Sequence, residues 1–114
     1  MNKLLIFISA FFFITTSSLT SQNDNRKTLE ILFNDWREFE NPPLLNGAPN
    51  YTAKSFDNRM PEFRQLKDRL NEIDKSTLDT QSKVDWTLIW AEMNGFEFNY
   101  RVLKPWERDP AFYK

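Results

Sequence analysis

The chain has 114 residues, a formal net charge of −1, no cysteine and no histidine. That length supports one small domain, and the missing residue types exclude disulfides, thiol chemistry, Cys or His metal ligands and any Ser–His or Cys–His nucleophile. A near-neutral balance without a basic stripe also leaves no footprint for nucleic acid.

The first stretch sets itself apart from the rest. Lys3 precedes an apolar run from Leu4 to Ile14, and Ser and Thr follow it. This is the order of a secretory signal peptide, and the run is short of the roughly 20 residues a membrane span needs. The expectation is a signal peptide over residues 1–21, cleaved between Ser18 and Gln22, and an exported protein, periplasmic or secreted. With no Cys after the cleavage zone, lipid attachment at a cysteine is excluded, and no membrane contact is expected once the leader is gone. Cleavage removes Lys3 and no acid, which takes the charge from −1 to −2.

The mature part begins with a helix by period. Leu29, Leu32, Phe33, Trp36 and Phe39 recur at three and four residues and share one stripe. Asp24 or Asn25 can cap it, and Asn41-Pro42-Pro43 ends it, which predicts a helix over about 25–40. A loop follows, with Asn46-Gly47 and Pro49-Asn50 as turn signals. The second helix is predicted over 53–73, with Phe56, Met60, Phe63, Leu66, Leu70 and Ile73 on one face. Pro61 lies inside it, so a kink or a one-turn break is expected near Arg59 and Met60.

The third helix, over 80–103, is apolar on two sides. Val84, Leu88, Ala91, Phe98 and Val102 form one stripe; Trp86, Ile89, Met93, Phe96, Tyr100 and Leu103 form the other. A helix apolar around most of its circumference is packed against more than one neighbour. Two preceding amphipathic helices cover one stripe comfortably and both only with difficulty. Gly95, within the first stripe, reads as a place where a neighbouring backbone comes close. Beyond Lys104-Pro105, Asp109-Pro110 has the form of an N-cap followed by proline at the first helical position. The start of a fourth helix is therefore expected over 109–114, and the domain is expected to be incomplete. The fold class predicted is all-α.

Between the two stripes of the third helix run Asp85, Glu92 and Asn99, seven residues apart. Carboxylates on a buried line must be paired or shift their pKa. Either arginines of neighbouring helices neutralise them, or Glu92 lines a cleft. Seven residues of helix rise hold Asp85 and Glu92 about 10 Å apart, too far to share a metal ion or to act as a glycosidase pair. Trp86, Trp90 and Trp106 read as core residues in preference to a stacking platform, since no basic groove accompanies them. No residue of the chain is expected to be catalytic, cofactor-binding or metal-ligating.

Three stretches carry a resemblance. "LFNDWREFENPPLLNGAPNYTAKSF", "RLNEID" and "VDWTLIWAEMNGFEFNYRVLKPWERDPAFY" resemble the N-terminal end of a bacterial exported family, the domain-of-unknown-function family 885. Members look like long, largely helical zinc metallopeptidases of the His-Glu-x-x-His class. The resemblance implies that the zinc site lies downstream of the matched region, and no zinc ligand can be carried onto a chain without His. It implies an N-terminal segment of such a hydrolase over 22–114, non-catalytic by itself and without a cofactor, with zinc held by the full-length parent. Its partners would be the remainder of the parent polypeptide and, for the parent, a peptide substrate. The other reading of the same residues is a complete small secreted three-helix module that binds a partner through exposed aromatics.

Overall fold

The computed structural model of the protein describes residues 17–109. It is all-α apart from one small hairpin. Helix α1 spans Ser17–Glu40, strands β1 Leu44–Leu45 and β2 Ala48–Pro49 pair antiparallel, α2 spans Ala53–Glu72 and α3 spans Thr80–Phe98. A 3-10 turn at Lys75–Thr77 joins α2 to α3, and a wide π-turn at Asn99–Leu103 leads into the short helix α4, Pro105–Arg108.

Local chemistry explains the boundaries. The Thr52 hydroxyl accepts from Ser55 N at 3.3 Å and caps α2; Asp79 accepts from Ser82 N at 2.7 Å and caps α3. Asp74 does the same for the 3-10 turn, accepting from Ser76 N at 2.9 Å. The loop expected after α1 closes as a hairpin, because Asn46 (φ 54°) and Gly47 (φ 82°) both take the left-handed conformation that a tight two-residue turn demands.

The structure differs from the sequence expectation at several points, and α3, expected to run to 103, gives way to the π-turn after Phe98. Helix α1 begins at Ser17, eight residues before the expected start near 25, since no Pro or Gly interrupts 17–24. Helix α2 runs through Pro61 without a break, so of the expected kink or one-turn break the break is not made. Pro61 and Asp57, whose carbonyl loses its N–H partner, both face outward, so solvent can satisfy that carbonyl. The last helix of the described residues starts at Pro105, with proline at its first position, and Asp109 is its extended C-cap. The helix start expected over 109–114 otherwise falls outside the described residues, as does the apolar run of the leader.

One core joins the three long helices. Leu29, Leu32, Trp36 and Phe39 of α1 meet Met60, Phe63, Leu66 and Leu70 of α2, and Ile89 and Met93 of α3 close the third side. Trp36, Phe39, Phe63 and Phe96 form its aromatic centre, with ring centroids 5.0–6.2 Å apart in tilted and edge-on pairs. Every apolar residue assigned to the α2 face is buried. Of the α1 stripe only Phe33 is not; it is 38% exposed, beside a groove described next. Ion pairs rim the core: Arg69–Asp35 at 2.8 Å ties α2 to α1, and Lys67 bridges to Glu97 between α2 and α3.

A candidate interface on the outer face of α3

Helix α3 shows its two stripes to different worlds. Ile89 and Met93 are buried, and Trp86, Phe96 and Tyr100 pack half-buried against the core. Leu103, assigned to the same stripe, is 47% exposed in the π-turn, whose wider coil rotates it away from the core. The opposite stripe stands in solvent. Val84 is 49% exposed, Leu88 58%, Phe98 52% and Val102 49%, and Ala91 is exposed between them. Gly95 faces open space, with no atom of the described residues within 4 Å of where a Cβ would sit, so the close backbone approach expected there is not made among the described residues. Trp90, 44% exposed, stacks on Trp86 at 6.4 Å; the core reading therefore fits the half-buried Trp86 and the buried Trp106 but not Trp90.

Beside the exposed stripe lies a groove of about 490 Å³ between α1 and α3. Helix α1 contributes Arg26, Leu29, Glu30, Phe33 and Arg37; α3 contributes Asp85, Leu88, Ile89 and Glu92. The line of Asp85, Glu92 and Asn99 thus divides. Asp85 and Glu92 wall the groove, and Asn99 lies beyond it, exposed, at the head of the π-turn. Glu92 is not enclosed: its side chain is 39% exposed, because α1 reaches it from one side only. Both its oxygens are nevertheless used. Arg37 Nη2 donates to Oε1 at 2.9 Å, and the buried Trp36 donates its indole N–H to Oε2 at 3.0 Å. Asp85, half-buried, accepts from Gln81 Nε2 at 3.2 Å.

Glu92 is committed to two donors, and among the described residues no three acidic, His or Cys side chains converge to hold a metal ion. The residues present do not fit a zinc site. What the groove offers is a mixed wall, apolar at Leu29, Phe33, Leu88 and Ile89, with charges of both signs along its edges. That is the anatomy of a contact surface.

At the other end of α3, the Tyr100 hydroxyl donates to Asp57 Oδ1 at 2.6 Å and fastens the π-turn to α2. Hydrogen bonding to Asp57, then burial, raises the Tyr100 pKa above the usual phenol value. Trp106 of α4 stacks on Phe56 at 3.9 Å and closes that end of the molecule. Lys104 turns the chain into α4 in the left-handed conformation, φ 43°. Glu97 is held below the usual carboxylate range, first by its hydrogen bond from Lys67.

No helix among the described residues is long and apolar enough to cross a membrane. Comparison with known protein families, with curated proteins and with solved structures finds no match to this chain.

Proposed function

We propose that the chain is the non-catalytic N-terminal helical part of an exported, metallopeptidase-like hydrolase, that its helices brace the body of that protein or wall its cleft, and that its outer α3 face is an interface. The observation that carries this reading is the exposed stripe of Val84, Leu88, Ala91, Phe98 and Val102 on a helix whose other side packs against the core. A continuous apolar stripe of this kind marks an interaction site on a monomer. Export rests on the Lys3 and Leu4–Ile14 pattern, and the hydrolase assignment on the resemblance of 32–56, 69–74 and 84–113 to family 885. Zinc would be bound by the parent's His-Glu-x-x-His helix, outside this chain.

The test is to follow the reading frame beyond the Lys114 codon, express the whole product and assay peptide hydrolysis. The expected result is a downstream His-Glu-x-x-His motif and a cleavage activity that a chelator removes and zinc restores. A frame with no such motif, or a complete product without hydrolysis, would overturn the reading. One observation favours a second: three helices close a common core by themselves. A small secreted binding module would then present the same α3 face to a partner, and a stop codon directly after Lys114 would promote it.

A further inference from the structure

The outer stripe of α3 has an order that the hydrolase reading does not require. Val84, Leu88, Ala91, Gly95, Phe98 and Val102 follow one another at intervals of four, three, four, three and four. This is the a/d repeat of a coiled-coil seam. Within α3 the seam runs from Val84 to Phe98, and Val102 lies beyond it in the π-turn. None of the six is buried.

The seam is also symmetric in size about Met93. Ala91 and Gly95 stand two residues to either side, Leu88 and Phe98 five, Val84 and Val102 nine. Placed antiparallel on a second copy about a two-fold axis at this point, side chains meet their size mates. Within α3, Ala91 falls on Gly95 and Leu88 on Phe98. An isologous interface must be self-complementary in this way, because the same patch serves both partners. The small central pair lets the two backbones approach closely, and the open space at Gly95 is where the second helix would come in.

The flanks agree with the same register. Asp85, Glu92 and Asn99 line one edge of the seam, and Thr87, Asn94 and Arg101 line the other. In an antiparallel pair each edge faces its own counterpart. Asn94 then lies across from Asn94, a pair able to hydrogen-bond. The one encounter of like charges is Glu92 with Glu92. Each of those carboxylates carries its own Arg37, which leaves two guanidiniums to neutralise the centre.

We propose that a second copy of this chain occupies the outer face of α3, antiparallel, on a two-fold axis at Met93. This goes beyond the hydrolase reading and does not depend on it, since it concerns the 114-residue chain alone.

The experiment is oxidative cross-linking in a chain that has no cysteine of its own. Leu88→Cys and Phe98→Cys are made separately on residues 22–114, which contain the whole core. Both positions are more than half exposed, so neither substitution opens the fold. An equal mixture should give a disulfide-linked heterodimer, and each variant alone should give little. Gly95→Leu should keep the circular dichroism of the parent chain and weaken dimerisation at least tenfold in sedimentation. Self-linking of each variant would signal a parallel pair and overturn the proposal. So would a monomer at every concentration, or a Gly95→Leu chain that dimerises undiminished. None of these results bears on whether a zinc motif lies downstream.

Discussion

Trp36 and Glu92 are joined across the α1–α3 boundary: the indole N–H donates 3.0 Å to Oε2 from a ring that is only 1% exposed. The carboxylate is therefore the acceptor for a buried donor at the centre of the aromatic cluster. Its ion pair with Arg37 lies in solvent and contributes about 0–1 kcal/mol.

Glu92→Ala should accordingly destabilise by about 1–3 kcal/mol, the cost of leaving a buried N–H without a partner. Glu92→Gln keeps an acceptor for Trp36 and should cost at most about 1 kcal/mol. Urea unfolding of the two variants separates the contributions. Equal losses would mean that the ion pair, and not the indole bond, holds the helices together.

Pro61 offers a stabilising substitution. Proline in a helix interior costs about 3 kcal/mol through a lost hydrogen bond and a clash, and its stiffening of the unfolded chain returns about 0.4–1 kcal/mol. Pro61→Ala restores the N–H for the Asp57 carbonyl in an uninterrupted helix, and the side chain is exposed. The expected gain is about 2 kcal/mol, read as a higher urea midpoint with unchanged slope. A lower midpoint would mean that Pro61 relieves strain elsewhere in α2.

Two ties on α3 respond to pH in opposite directions. The Glu97 carboxyl is held below its usual value, chiefly by Lys67. Its contribution is present above the unfolded carboxylate pKa of about 4.3 and is lost as pH falls through the lower folded value. The stability difference between the wild-type chain and Glu97→Gln should therefore shrink on acidification. Tyr100 is shifted upward, chiefly by its hydrogen bond to Asp57. That contribution is present below about pH 10 and is lost as pH rises through the higher folded value. Thermal melts of Tyr100→Phe against wild type should converge only on the alkaline side.

Most of the fold was legible because its periodic positions carry large apolar side chains. The α2 face could be read residue by residue, and so could the two stripes of α3. Caps were legible in principle: Thr52 and Asp79 each stand three residues before a serine whose N–H they accept, the ordinary N-cap geometry. Of the kink or break allowed for at Pro61 the break is not made, because the α2 face buries Phe56, Met60, Phe63 and Leu66 on either side of it. At Gly95 the sequence misled. A glycine on an apolar stripe implies a close neighbour, but periodicity does not say whether that neighbour belongs to the same chain. The engagement of Glu92 by Trp36 had no local signal, since the partners are 56 residues apart.

Export has its own check. Expressed with its native start in a secretion-competent host, the chain should yield a product beginning between Leu19 and Asn23. Intact mass or N-terminal sequencing reads this directly. A full-length product retained in the cytoplasm would exclude the leader.

The central claim is that the outer face of α3 is an interface, and solution mass tests it most directly. Leu88→Lys with Phe98→Lys places two charges on side chains that are 58% and 52% exposed, so the three-helix core should keep its circular dichroism and lose no more than about 0.5 kcal/mol. Light scattering on residues 22–114 should give a mass above the monomer for the wild-type sequence, rising with concentration. The double variant should run as a monomer over the same range. A wild-type chain that stays monomeric and soluble throughout, indistinguishable from the variant, would contradict the claim.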